Sequence, residues 1–169
     1  MWEGKNVTVF VTGGIAAFKA ATLVRLFVKA GANVEVAMTK SACEFITPLT
    51  FQVLTKNKVH TDTFDEDEAD LVQHIHLADK TDVAVVVPAT ANTIAKLANG
   101  IADNFVTSTL LATTAPIYVA PAMNEHMWEN PATVRNVAQL KADGKVIIEP
   151  TTGFLAEGYN GKGRLPEPE

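Results

Sequence analysis

The sequence predicts an α/β domain in which a mostly parallel sheet lies between layers of helices. Three observations carry this. Apolar, β-branched runs of four to six residues recur along the chain; segments of helical composition separate them; and glycine or proline marks most of the junctions. Strands buried on both faces read as near-continuous apolar runs. Alternation of such runs with helices implies βαβ units, whose crossovers cover both faces of a parallel sheet.

Residues 7–11 form the first predicted strand, which ends at the tight turn Thr12-Gly13-Gly14. Residues 15–30 favour helix, and Gly31 stops it in the manner of a C-terminal glycine. A second strand covers 33–38, a short helix 41–45, and Pro48 opens a further segment through residue 54. The acidic stretch 62–70 reads as a solvated loop or a helix start. Residues 83–87 are the most strand-like run in the chain. Helix is expected over 91–98, ending near Asn99-Gly100, and again over 104–112. Strand 117–120, helix 131–142 ended by Asp143-Gly144, and strand 145–149 complete the series. From Gly153 onward the chain is glycine-rich and polar, and reads as a loop.

At 169 residues this is one ordinary domain, long enough to bury a full core. With 47% hydrophobic and 20% charged residues it reads as globular. The formal net charge of -5 and the lack of any basic run argue against nucleic acid as a partner. Cys43 is the only cysteine, so it can form neither an internal disulfide nor a zinc or iron–sulfur site by itself, and a reducing cytoplasm is the natural setting. Residues 1–6 lack signal-peptide order, and no apolar run reaches the roughly 18 residues that suggest a membrane span.

In parallel α/β sheets, ligands sit outside the carboxyl ends of the strands. Those ends are Thr12-Gly13-Gly14, Thr39-Lys40-Ser41, Pro88-Ala89-Thr90, Pro121-Ala122-Met123-Asn124 and Pro150-Thr151-Thr152-Gly153. Small, hydroxyl and amide residues at one edge suit a neutral-to-anionic ligand held by backbone amides and short side chains. The Gly13-Gly14 turn lacks both the phosphate-loop and the dinucleotide fingerprints, yet lets backbone N–H groups approach an anion; a plain tight turn explains it equally well. Thr90 and Asn92 are good N-cap residues, so capping alone competes with ligand binding there. Met123, Met127 and Trp128 after a strand end serve either a ligand or simple core closure. His74 and His76 share a face if their segment is extended and diverge if it is helical; their spacing fits no zinc motif, and no metal is expected. A single working histidine is better motivated, because its ordinary pKa suits proton transfer near neutrality. Four glycines within residues 153–163, with one tyrosine among them, suit a flap over a site or a disordered tail.

Taken in order over nearly the whole chain, these segments resemble the homo-oligomeric flavin-containing cysteine decarboxylases. The resemblance rests on Gly13-Gly14-Ile15 with Lys19, Thr39-Lys40-Ser41-Ala42, His74-Ile75-x-Leu77, Pro88-Ala89-Thr90-Ala91-Asn92-Thr93, Pro121-Ala122-Met123-Asn124 with Met127-Trp128, and the glycine-rich flap. It implies a Rossmann-like (flavodoxin-like) three-layer domain over 1–169, with 153–169 as flap and start of a linker. It also implies FMN held by Gly13, Gly14, Ile15, Thr39, Lys40, Ser41, Thr90, Ala91, Asn92, Thr93 and Ala122. His74 matches the family's catalytic histidine, and Asn124 its carboxylate-holding asparagine. Met127, Phe154, Leu155 and Ala156 would contact substrate. The ending Gly161-Lys162-Gly163-Arg164-Leu165-Pro166-Glu167-Pro168 looks like bacterial bifunctional members, in which a phosphopantothenoylcysteine synthetase domain follows. Trimers, often assembled into dodecamers with flavin sites at subunit contacts, are the family's state.

The implied reaction is decarboxylation of 4'-phosphopantothenoylcysteine to 4'-phosphopantetheine in coenzyme A synthesis. Loss of CO2 from a cysteine α-carbon needs an electron sink; the family oxidises the thiol to a thioaldehyde, whose C=S accepts the electrons. A flap cysteine then serves protonation and reduction of the enethiolate. Here that motif reads Leu155-Ala156-Glu157-Gly158, with Glu157 at the cysteine's place. Three readings of Glu157 stand open: a donor with a raised pKa, an engineered block that traps an intermediate, or a paralogue without the full reaction. Two alternative functions accompany them, a peptidyl-cysteine oxidative decarboxylase and a non-enzymatic flavin-binding regulatory or scaffold subunit.

Overall fold

The computed structural model describes residues 1–64 and 72–169. Its centre is a five-stranded parallel sheet in the order β2-β1-β3-β4-β5. The strands are β1 (Asn6–Val11), β2 (Asn33–Met38), β3 (Val83–Ala89), β4 (Ile117–Pro121) and the two-residue β5 (Val146–Ile147). This is the doubly wound order in which the chain reverses direction across the sheet between β1 and β3, and that switch point opens a crevice at the carboxyl edge.

Side-chain alternation along the strands feeds two cores. Val7, Val9 and Val11 of β1, with Val85 and Val87 of β3, face one side, where Ala17, Ala20 and Val24 of α1 (Ala17–Lys29), Ala42 of α2 (Lys40–Phe45) and Phe51 of α3 (Pro48–Thr55) cover them. Phe10, Ala84, Val86 and Val119 face the other side, under Leu77 of α4 (Gln73–Lys80), Ile94 of α5 (Ala91–Asn99), Phe105 and Leu110 of α6 (Phe105–Ala112), and Val137 and Leu140 of α8 (Pro131–Ala142). The three layers follow from this period-2 pattern meeting helical stripes. Two buried hydroxyls are satisfied together: Thr8 and Thr81 share a hydrogen bond of 2.7 Å, and Thr81 donates to the Leu77 carbonyl at 2.6 Å.

Sequence and structure differ chiefly in three places. The segment after Gly153, read as a loop, is an antiparallel hairpin of β6 (Thr151–Phe154) and β7 (Asn160–Arg164). Glycine-rich strands carry little side-chain patterning, and the hairpin is held largely by backbone: Met123 donates its N–H to the Gly163 carbonyl at 3.0 Å, which seats β7 on the loop after β4. A short helix α7 (Glu125–Glu129) was not anticipated; Asn124 caps it by accepting the His126 N–H at 2.8 Å. The final parallel strand keeps only Val146 and Ile147 of the expected 145–149. The expected acidic loop 62–70 lies largely outside the described residues; within it, the Asp62 carboxylate accepts the Phe64 N–H at 2.9 Å. Among the described residues no helix is long and apolar enough to cross a membrane.

Candidate functional site

The carboxyl ends of β1 and β3 are tied together by one hydroxyl. Thr12, 1% exposed, donates to the Pro88 carbonyl at 2.5 Å and accepts the Thr90 N–H at 3.0 Å. The loops after β1 and β2 approach so closely that a Cβ on Gly13 would collide with the Cβ of Ser41. Only glycine fits there, and the close approach brings both loops to one rim. Gly14 is different: a Cβ there would meet nothing nearer than Pro88 Cγ at 4.0 Å, so its hydrogen faces open space.

Two cavities open from this rim and share Gly13, Thr90 and Asn92. The first, about 440 Å³, is polar. Thr39, Lys40, Ser41 and Thr93 line it, with Asn104 and Phe105 opposite. Thr90 caps α5 by accepting the Thr93 N–H at 3.1 Å, and Asn104 caps α6 in a reciprocal capping box with Thr107. The cavity thus lies at the positive ends of two helices, where anions are favoured. Lys96 at its edge is engaged by both Asp103 carboxylate oxygens at 3.0 Å, whereas Lys40 forms no ion pair among the described residues.

The second cavity, about 620 Å³, is mostly apolar. Gly14, Ile15, Ala91 and Ala122 form its floor, Met127 one wall, and Phe154, Leu155 and Ala156 of the hairpin its roof. Ile15 and Phe18 are each 60% exposed and Phe154 66%, so the apolar wall is open on one side. At the hairpin end, the Asn124 amide nitrogen donates to Glu157 Oε1 at 2.5 Å and to the Tyr159 hydroxyl at 2.6 Å. Every residue expected to hold cofactor therefore lines one cavity or the other, and Asn124 and Glu157 meet directly.

His74 does not join them. It sits on α4, lines neither cavity, and stands edge-on to Phe105 with ring centroids 6.5 Å apart. Its Nδ1 is buried without a hydrogen-bond partner. Because α4 is helical, His76 points about 200° away from His74 and is exposed. Among the described residues no group of three or more His, Cys, Asp or Glu could hold a metal. Cys43 lies in α2, away from the hairpin; burial, reinforced by the Glu44 charge, pushes its thiol above the usual value, so it is a weak nucleophile at neutral pH.

Sequence reading passed over several residues that shape the site. Thr12 looked like an ordinary strand end; only its burial between two strand ends reveals the clamp. Tyr159 and Gly163 belonged to a flap with no assigned structure, and a Cβ on Gly163 would strike the Met123 carbonyl, so its φ of 139° and its lack of a side chain are both needed for docking. Lys19 stands in the first motif of the resemblance, but its role shows only here: it is buried and holds the C-terminal segment, donating to the Leu165 carbonyl at 2.7 Å and to Glu167 at 3.1 Å.

Comparison with known proteins settles the lineage of this two-chambered edge. The family model described as Flavoprotein matches residues 1–169. The chain belongs to the flavoprotein family. It is 56% identical, over all of its 169 residues, to the coenzyme A biosynthesis bifunctional protein CoaBC of Bacillus subtilis (strain 168), of which it spans 42%. It is 46% identical over 165 residues to the probable phosphopantothenoylcysteine decarboxylase of Streptococcus mutans serotype c, covering 96% of this chain and 92% of that one. Among solved structures, a cysteine-to-serine mutant of PPC decarboxylase complexed with pantothenoylaminoethenethiol superposes with a TM-score of 0.87 at 34% identity, covering 98% of this chain and 93% of that one. The FMN-dependent cysteine decarboxylase SpaF gives 0.85 at 33% identity, covering 96% and 92%. The expected α/β fold with a mostly parallel sheet is the observed one.

Proposed function

We propose that this flavoprotein binds FMN and removes CO2 from the cysteine carboxyl of 4'-phosphopantothenoylcysteine, forming 4'-phosphopantetheine in coenzyme A synthesis. The observation that carries this is Asn124. Its amide N–H points into the apolar cavity and holds a carboxylate there, that of Glu157, at 2.5 Å. A donor already in place for a carboxylate, beside an apolar chamber continuous with a polar one, suits a substrate acid reacting next to a flat ring whose phosphate lies elsewhere.

The residues fit FMN in kind. Gly14 leaves open space over which a flat ring can lie, with Ile15, Ala91 and Ala122 as apolar contacts. Thr39, Lys40, Ser41 and Thr93 suit the polar chain and phosphate, at the helix N-termini that favour anions. When bound, FMN supplies the two-electron chemistry that converts the thiol into an electron-accepting C=S.

The chain's own residues do the positioning. Asn124 fixes the carboxylate so that its bond to the α-carbon can break, and Phe154, Leu155 and Ala156 exclude water above it. His74 is the acid/base. Because it lines neither cavity of its own subunit, it serves the site across a subunit contact. Homotrimers, built into dodecamers, would also cover the exposed Ile15, Phe18 and Phe154. A synthetase domain after residue 169, as in the bifunctional relatives, and a cytoplasmic setting suited to the free thiol of Cys43 complete the reading.

Glu157 favours a second outcome at the same site. The similar PPC decarboxylase with its cysteine changed to serine carries pantothenoylaminoethenethiol, and Glu157 likewise puts no thiol at the hairpin tip. A chain that stops at the enethiol releases a product about two mass units lighter than 4'-phosphopantetheine. Incubation with carboxyl-labelled substrate tests both: labelled CO2 with either product supports the decarboxylase, and product mass tells which. Tight FMN binding without labelled CO2 from any cysteine substrate would instead mark a non-enzymatic flavin-binding subunit.

A further inference from the structure

We propose that Glu157 is a specificity-determining residue: its carboxylate takes the Asn124 amide at the hairpin end of the apolar cavity and biases this chain toward N-acyl aminoethanol- and aminoethanethiol-type ligands over their α-carboxylated counterparts. The inference rests on the reading that Asn124 receives the substrate carboxylate, and adds what happens when the chain brings a carboxylate of its own.

The orientation of Asn124 is fixed. Its Oδ1 accepts the His126 N–H at 2.8 Å as the cap of α7, so the amide N–H groups must face the hairpin. There they meet Glu157 Oε1 at 2.5 Å and the Tyr159 hydroxyl at 2.6 Å. An amide nitrogen has two hydrogens, and both are engaged. A ligand carboxylate can reach Asn124 only by displacing Glu157 or Tyr159.

The hairpin that carries Glu157 is built to stay in place. The turn closes through Leu155 N–H to the Tyr159 carbonyl at 2.8 Å and Gly158 N–H to the Leu155 carbonyl at 3.0 Å. Its far strand docks through Met123 N–H to the Gly163 carbonyl at 3.0 Å and Lys162 N–H to Glu125 at 3.3 Å. Glu157 has no ion-pair partner among the described residues, so its negative charge is not neutralised locally. A second carboxylate at the same amide would meet like charge at close range. A ligand without the carboxylate meets neither obstacle.

The test uses the full FMN-loaded chain and two ligands that cannot turn over because a hydroxyl replaces the thiol: 4'-phosphopantothenoylserine and 4'-phosphopantothenoylethanolamine. Calorimetric affinities are measured for wild type, Glu157→Gln and Glu129→Gln, the last removing an exposed charge from α7, the helix that Asn124 caps, without touching Asn124. The proposal expects wild type to prefer the ethanolamine ligand. It expects Glu157→Gln to tighten serine-ligand binding by roughly tenfold relative to the ethanolamine ligand, and Glu129→Gln to leave the ratio unchanged. An unchanged ratio in Glu157→Gln, or an equal shift in Glu129→Gln, overturns the proposal while leaving the site reading intact. Failure of both ligands to bind either FMN-loaded variant overturns the site reading and the proposal together.

Discussion

Thr12 accepts the backbone N–H of Thr90 at 3.0 Å through the same hydroxyl that it donates to Pro88, so one buried side chain joins the strand ends between which the site opens. Thr12→Val keeps the shape and removes the hydroxyl, stranding a part-buried N–H and a buried carbonyl. A loss of about 1–3 kcal/mol is expected in urea unfolding, together with weaker flavin binding. Thr12→Ser retains both hydrogen bonds and is expected to restore most of each.

Gly13 and Gly14 are neighbours with opposite expectations. Gly13→Ala drives a methyl into Ser41, and about 1–3 kcal/mol of stability is expected to be lost. Gly14→Ala meets only Pro88 Cγ at 4.0 Å, so stability is expected to stay within about 0.5 kcal/mol of wild type. Its methyl nevertheless projects toward the apolar cavity, and FMN affinity is expected to fall. Parallel urea and flavin titrations separate the two effects.

Glu35 sets an acid limb for stability. Burial by itself would raise its carboxyl, but hydrogen bonds from His60 and Lys80 and the charges of both hold it below the ordinary value of 4.5. A carboxyl depressed in the folded state contributes stability above its unfolded pKa, and that contribution is lost as pH falls through the folded value. Stability is therefore expected to hold through neutrality and to decline below about pH 4.5. Glu35→Gln is expected to be less stable at pH 7 and to show a flatter decline in acid, read from urea midpoints across that range.

Glu157→Cys places a thiol at the hairpin tip above Asn124. Under the proposed function it is expected to raise the share of fully reduced 4'-phosphopantetheine by roughly tenfold or more over wild type. Mass spectrometry of products reads this directly. An unchanged product distribution would remove the hairpin tip from the last half-reaction.

Much of the fold was legible because its signals are local. The strand 33–38 and the helix 131–142 have the observed limits, and α5 ends at Asn99, with Gly100 in the left-handed conformation, where the Asn99-Gly100 pair marked its end. A ligand edge was legible in outline, since the strand-end motifs converge by topology alone, whereas its division into a polar and an apolar cavity was not. What the sequence hid depends on tertiary contact. The hairpin after Gly153 has strands of glycine and polar residues, with no alternation to betray them. The helix α7 spans five residues and depends on the Asn124 cap. The choice between one shared face and two for His74 and His76 needed the α4 helix, and the clamp at Thr12 needed the register of β1 beside β3.

The most direct measurement is anaerobic mixing of the FMN-loaded chain with 4'-phosphopantothenoylcysteine, following flavin absorbance near about 450 nm and the mass of the organic product. The account predicts loss of flavin absorbance together with a product that lacks the elements of CO2. Failure of the chain to take up FMN, or unaltered substrate beside an unchanged flavin spectrum, would contradict it.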